Sequence, residues 1–494
     1  MDITDRIFRK ELCTKITTAE EAAKFITDGM HVGTSGFTPC GYPKAVPLAL
    51  AARAKAGEKI RVTLGTGASV GVELDEAWAE QNITAKRYPY QTGKWINKRL
   101  NDGDAMFMDI HLSHVSQQLR YGFLGKMDVC IVEAVCILEN GGIVPSTSVG
   151  NTPTFIQEAE KVIVEINTSQ PMELVGMHDI FIPADPPARH PLPVTDCKQR
   201  MGTVYMPCDP RKIAAIVPCD ITDKTRPLGP IDDNSQAIAA HLVRFFEKEY
   251  GGKLPPLQSG VGNVANAVMA GLLHSNFRGL NVWSEVIQDA MFDLIDAGKL
   301  TFASGTSLSP SPEGLVRFYN NILNYRDKIV LRPQEISNNP EISRRLGLIA
   351  MNTALEVDIY GNANSTHTLG TSMVNGIGGS GDFSRSAGLV VMMTPSAAKG
   401  GAISRVVPHV PHIDHTEHEV HVIVTDQGLA DLRGLDPRER VPVIIENCAH
   451  PDYRPLLWDY YNRALKASGG HIPMLLDEAF SWHVRFQKTK SMKP

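Results

Sequence analysis

No stretch of the 494 residues approaches the ~18 consecutive apolar positions that a membrane helix needs. The run Val129–Leu138 is shorter and is interrupted by Glu133. The opening MDITDRIFRKELCTKITTAEEAAKF has mixed charge and no apolar centre, so it reads as neither a secretory signal nor a transit peptide. A cytoplasmic protein without a membrane partner is expected. A basic stripe with interleaved aromatics is also missing, which excludes nucleic acid as the expected partner. The formal charge of −5 still allows a polyanionic ligand, provided lysines and backbone N–H groups are focused locally. None of the eight cysteines stands in C-x-x-C spacing, so no zinc site or redox pair is indicated and free thiols in a reducing compartment are expected. There is no G-x-x-x-x-G-K-[ST] phosphate loop and no G-x-S-x-G nucleophile elbow.

What is present is an alternation. The composition, 43% hydrophobic and 21% charged, is that of a globular protein. At about 100–200 residues per domain, the length suits two or three domains. Short β-branched runs predict strands at His31–Thr34, Ile60–Leu64, Val129–Val132, Val162–Ile166 and Ile213–Val217. Later ones are predicted at Leu280–Trp283, Leu300–Ala303, Ile329–Leu331, Leu389–Met393 and Val420–Val424. Helical patterns lie between several of them, including Thr18–Thr27, with Thr17 or Thr18 capping, and Ala45–Ala54. Strands alternating with helices predict an α/β fold with largely parallel sheets. The polar segment DITDKTRPLGPIDDN (220–234) precedes an amphipathic helix at Ser235–Tyr250 and marks the expected boundary: a domain 1–220 and a domain 221–494.

Three glycine segments could approach a ligand closely: GTSG (33–36), QSGVG (258–262) and GIGGSG (376–381). The last matches G-x-G-x-x-G in form. Its surroundings do not fit a dinucleotide site, because polar STHTLGTSMVN precedes it, a strand follows it, and no acid stands ~20 residues on. QSGVG fits a ligand better, since it runs into an apolar-periodic helix from Asn263, and helix N-termini attract phosphates. In LNVWSEVIQDAMFDLIDAGKL (280–300), Val286, Ala290 and Leu294 with Ile287, Met291 and Ile295 form one apolar helical face. Glu285 is therefore expected where a strand ends and a helix begins, at the crevice edge of an open sheet. Position alone favours an ordinary first-turn acid there. Histidines stand at 409, 412, 415, 418 and 421, but Pro408, Pro411 and the β-branched run after Glu419 favour a hydrogen-bonded turn over a metal site. No metal is predicted.

Taken together and in order, long segments across nearly the whole chain resemble the acetyl-CoA hydrolase/transferase family of class I CoA-transferases, most closely its succinyl-CoA:acetate type. They are GTSGFTPCGYPKAVP, TGAS (66–69), PYQT (89–92), LPPLQSGVGN, SEVIQD (284–289), LRPQEISNNPEI, DIYGNANST, NGIGGSGDF, KGGAISRVVPHV and DQGLADLRGL. The resemblance implies two α/β CoA-transferase domains with the active site between them, in a homodimer, and coenzyme A or acyl-CoA as substrate with no permanently bound cofactor. It implies Glu285 as a nucleophile that forms a glutamyl-CoA thioester, with Asn338 and the Gly379 N–H stabilising oxyanions. Gln258, Ser259, Gly260, Val261, Gly262, Asn375, Gly379 and Lys399 match CoA-binding positions. Ser69, Thr92 and Val261 match a small carboxylate pocket. Asp426 stands where close relatives carry glutamate beside that pocket, a side chain shorter by one methylene. The expected reaction moves CoA from an acyl-CoA, succinyl-CoA or acetyl-CoA, to a short carboxylate. The alternatives are an acyl-CoA hydrolase with the same nucleophile and a non-catalytic acyl-CoA-binding protein.

Overall fold

The β-branched runs pair as an α/β fold requires. The computed structural model describes residues 2–494. The chain divides into two compact units, the first comprising Met1–Pro227, Asn281–Asp289 and Thr301–Leu346, and the second Leu228–Leu280, Ala290–Leu300 and Gly347–Pro494.

In the first unit the strands are β1 (His31–Thr34), β2 (Val62–Gly65), β3 (Thr84–Tyr88), β4 (Met106–Phe107), β5 (Val129–Ile137), β6 (Ile143–Pro145), β7 (Lys161–Asn167) and β8 (Ile213–Cys219). They lie in the order β4-β3-β2-β1-β5-β7-β8, all parallel, with β6 antiparallel on β5. Every residue of β5 is buried, as expected of a strand covered on both faces. Helix Ala45–Lys55 packs Val46 and Leu50 against Val32, Leu64, Trp78 and Val129. Truncating Leu50 to alanine there should cost about 2–5 kcal/mol.

One charge inside β5 has a structural use. Glu133 accepts from Lys44 Nζ at 2.5 Å, and Lys44 also meets Asp223 at 2.9 Å, with all three side chains sealed from solvent. Burial raises the Glu133 carboxyl to about 7 against the pull of Lys44. Asp223 accepts in addition from the Thr147 hydroxyl at 2.6 Å and the Gly41 N–H at 3.2 Å. Buried charges must be paired to be tolerated, so this cluster pins the polar segment after β8 to the sheet.

The first unit also holds most of the parallel strands Leu280–Trp283, Leu300–Gly305 and Ile329–Leu331. In the second unit, Leu257–Ser259, Ile349–Thr353, Leu389–Met393 and Val422–Thr425 run parallel in that order, and Gly428–Asp431 closes the edge antiparallel. Helix Asp233–Tyr250 begins at Asp232, whose carboxylate accepts the Ser235 N–H at 2.8 Å. Helix Pro437–Cys448 starts with a capping box of Asp436 and Glu439. Val441, Ile445, Tyr453 and Leu457 pack with Met392 and Ile423 in its core. Among the described residues, no helix is long and apolar enough to cross a membrane.

The expected helix start at Glu285 is corrected. Val286–Ile287 form a short strand parallel to Ser307–Leu308, and the helix begins only at Asp289. The apolar spacing that suggested one continuous helix comes from two elements in succession.

Candidate active site

Glu285 occupies the break between strands Leu280–Trp283 and Val286–Ile287. Its main chain is fixed from both sides. The Ser284 N–H donates to Ser304 O at 2.9 Å, and the Glu285 carbonyl accepts from Thr306 N–H at 2.7 Å and Ser307 N–H at 3.1 Å. Glycine at 305 leaves room for this approach, because a Cβ there would stand 3.0 Å from the Glu285 carbonyl oxygen.

The side chain is aimed as firmly. Asn338 Nδ2 donates to Glu285 Oε1 at 2.5 Å. Asn338 caps the C-terminal end of helix Gln334–Ser337, its N–H donating to Gln334 O at 2.8 Å. The Trp283 indole donates to Ser337 O at 2.8 Å, tying the glutamate strand to the asparagine helix. The wholly buried Arg332 lies 5.0 Å over the Trp283 ring, pairs with Asp179 and donates to Ser304 Oγ at 2.8 Å. Glu285 keeps a window to solvent, but burial pushes its carboxyl up to about 7 and the Asn338 amide only partly opposes that rise. No helix N-terminus supports its ionised form, because the helix starts four residues later, at Asp289. A carboxylate so placed can serve as a nucleophile or a base near neutral pH.

Beside it lies a small apolar cluster of Phe37, Ala68, Leu112 and Val286, with Tyr90 packed against it. Ala68 precedes the buried Ser69, Tyr90 stands two residues before Thr92, and Val286 follows Glu285, so this cluster is flanked in sequence by two of the expected carboxylate-pocket residues and by the glutamate. Thr92 Oγ1 accepts from the Arg226 guanidinium at 2.6 Å. Burial raises the Tyr90 phenol to about 12, with the Arg226 charge pulling it down and the Glu285 charge pushing it up. Arg226, Tyr90 and Arg332 were not singled out from sequence. Arg226 lay in a segment whose proline, glycine and aspartate content reads as a linker. A cation inside that polar run was the available signal.

In the second unit, Leu257–Ser259 leads through Gly260 and the exposed Val261 to Gly262, whose φ of +116° opens helix Asn263–His274. The Gln258 side chain is buried and occupied: its Oε1 accepts from Met351 N–H and Asn352 Nδ2, both at 3.1 Å. The Gly260 N–H is likewise taken, donating to Met351 O at 3.0 Å. Asn375 donates to Ser365 O at 3.1 Å and Gly376 O at 2.8 Å. Gly379 is buried in the turn before the short helix Ser380–Ser384. Lys399 has φ +50° at a hairpin tip, with Nζ 5.1 Å over the Phe486 ring. Asp426 accepts from Ser396 N–H at 2.5 Å, Ser396 Oγ at 2.9 Å and Gln427 Nε2 at 2.7 Å. It is engaged by its own loop.

Members of the histidine series are held by hydrogen bonds and ring contacts. His409 lies 5.1 Å from the Tyr360 ring and His412 4.0 Å from that of His367, while His421 accepts the Val390 N–H at 3.1 Å. Among the described residues, no three His, Cys, Asp or Glu side chains gather as a metal site.

The acetyl-CoA hydrolase/transferase N-terminal domain matches residues 1–218, and the C-terminal domain of the same family matches residues 314–461. A succinyl-CoA:acetate CoA-transferase of Clostridium kluyveri is 54% identical over 99% of this chain and 92% of its own. An acetyl-CoA hydrolase of Neurospora crassa is 46% identical over 99% of this chain and 97% of its own. Among solved structures, RipA from Yersinia pestis aligns with a TM-score of 0.72 and 23% identity, covering 94% of this chain and 99% of that one. A 4-hydroxybutyrate CoA-transferase from Porphyromonas gingivalis aligns with a TM-score of 0.64 and 20% identity, covering 92% and 99%. At those identities the two structures speak for the fold alone.

Proposed function

The chain belongs to the acetyl-CoA hydrolase/transferase family, and from that premise we propose that it moves CoA from succinyl-CoA or acetyl-CoA to a short carboxylate through a thioester on Glu285. The observation that carries this reading is the Glu285 carboxylate held at 2.5 Å by the Asn338 amide inside a largely apolar setting.

A carboxylate suits the task because it can conserve the thioester's energy as an anhydride. Glu285 attacks the acyl-CoA carbonyl, the C–S bond breaks, and CoA thiolate leaves an acyl–glutamyl anhydride. The thiolate attacks the glutamyl carbonyl and expels the first acid as its carboxylate. The second carboxylate then attacks glutamyl-CoA, and the same steps run in reverse, giving ping-pong kinetics. Asn338 Nδ2 and the Gly379 N–H are assigned to the tetrahedral oxyanions. Gln258 to Gly262, Asn375 and Lys399 are assigned to the CoA handle, whose remote binding energy positions the thioester. Ser69, Thr92 and Val261 are assigned to the acid, with Asp426 at its margin. The protein is proposed to work in the cytoplasm as a homodimer, with no resident cofactor.

Mass spectrometry after incubation with acyl-CoA should find CoA attached at Glu285. No adduct, with Glu285→Ala as active as wild type, would sink the mechanism. A matrix of acyl-CoA donors against acetate, propionate, butyrate and succinate names the acid pair. The second reading, hydrolysis, is favoured by the solvent window at Glu285. It predicts that free CoA accumulates equally with and without an added acid.

A further inference from the structure

Among the histidines that the reaction leaves unused, one touches the glycine loop. His415 is fully buried and rigidly mounted: its N–H donates to Ala363 O at 3.1 Å, and its carbonyl accepts the Ala363 N–H at 2.8 Å. Ala363 belongs to a three-stranded sheet of Glu356–Asp358, Ala363–Asn364 and Val406–Val407. From that anchor the imidazole Nε2 stands 3.1 Å from Ser380 Oγ, and Nδ1 stands 3.3 Å from Glu419 Oε1. Arg385 Nε lies 3.7 Å from the other Glu419 oxygen.

Serine, histidine and glutamate in line resemble a hydrolytic triad, but the protons are arranged otherwise. The Ser380 hydroxyl donates to Ile377 O at 2.8 Å. Its one proton is directed there rather than at the imidazole, and the ring and the hydroxyl oxygen stay in contact at 3.1 Å. What the arrangement does is close a turn. The Ser380–Ile377 bond spans Gly378, which sits at φ +61°, and the buried Gly379. His415 clamps the closed turn from outside.

We propose that His415, acting through Ser380 and braced by Glu419, is a positioning residue that sets the direction of the Gly379 N–H. The proposal rests on the reading of Gly379 as an oxyanion donor. A donor displaced by about 1 Å can lose up to about 100-fold in rate. A turn closed by side chains lets two flexible glycines hold one orientation.

The test is a double-mutant cycle on the full-length protein with His415→Ala, Ser380→Ala and both together, and with His415→Gln as the conservative variant. Each single change should lower kcat about 10- to 100-fold and leave the KM for acyl-CoA within about threefold. The double variant should be no worse than the worse single one, because the two residues act through one link. Glutamine, whose amide nitrogen reaches about as far as Nε2, should recover most of the loss. Ser380→Ala removes a single oxygen from a part-exposed side chain, so it reports even where His415→Ala fails to fold. Multiplicative losses in the double variant, a KM effect without a kcat effect, or an acyl group trapped on Ser380 would each overturn the proposal. Unchanged kcat in Ser380→Ala, with CoA still attached to Glu285 in wild type, would overturn the positioning role alone. No adduct on wild-type Glu285 would remove the functional reading beneath it as well.

Discussion

Glu285 and Asn338 are side chains fixed by other side chains, whereas the turns at Gly260–Gly262 and Lys399–Gly401 present main chain set by left-handed geometry. In the first case, Trp283 and Arg332 brace the strand and the helix that bring the two groups to 2.5 Å. In the second, Gly262 at φ +116° and Lys399, Gly400 and Gly401 at φ +50°, +63° and +87° shape surfaces with exposed tips. Bond-making depends on tenths of an ångström. Holding a long, flexible CoA handle, the task proposed for the turns, tolerates more. Changes around Glu285 should therefore appear in kcat, and changes in the turns in the KM for acyl-CoA.

The largest effect tests the first half of that contrast. Glu285→Ala should lower kcat by at least about 10⁴-fold, as loss of a covalent nucleophile does. A smaller loss in steady-state assays would mean that Glu285 only assists. Asn338→Ala should cost about 10²–10³-fold in kcat with little change in KM; a KM effect of similar size would erase the distinction between the regions. Next comes pH. Glu285 must be ionised to attack, and its carboxyl is raised to about 7, so kcat/KM should fall about tenfold per unit below that value and level off above it. Stability should run the other way. The native carboxyl holds its proton up to about 7 and an unfolded one only to about 4.5, so wild type loses stability as pH rises between them. The melting-temperature advantage of Glu285→Gln should grow over the same window. The smallest effect belongs to the turns: Lys399→Ala should raise the KM for acyl-CoA about fivefold, the scale of one partly exposed charge pair, and leave kcat alone. A kcat defect there would show the turn reaching into the chemistry.

Much of this was legible in the residues. Strands at His31–Thr34, Leu280–Trp283, Ile329–Leu331 and Leu389–Met393 have the limits their apolar runs predicted, because buried parallel strands need continuous hydrophobicity. The cap at Thr18 was likewise readable, its hydroxyl accepting the Glu21 N–H at 3.3 Å. Val286–Ile287 misled, since two apolar residues of a short strand fell in phase with the helix after them. The long-range polar links were not legible at all. Nothing local tells Lys44 that Asp223 is its partner, or Asn338 that it will face Glu285, since such pairings exist only once the sheets have formed. The family segments made the second pairing expected before any geometry was known. They did not reveal Arg226 beside Thr92.

The first unit recruits Asn281–Asp289 and Thr301–Leu346, although Leu228–Leu280 belong to the second. A ribosome makes the chain in order, and domains ordinarily fold as their residues emerge. Here the early part of the chain must wait until residue 346 has been made before its own unit is complete. Glu285, the proposed nucleophile, thus enters its setting late in synthesis. A chain cut short after its first two hundred residues would lack both Glu285 and the segments that complete its unit.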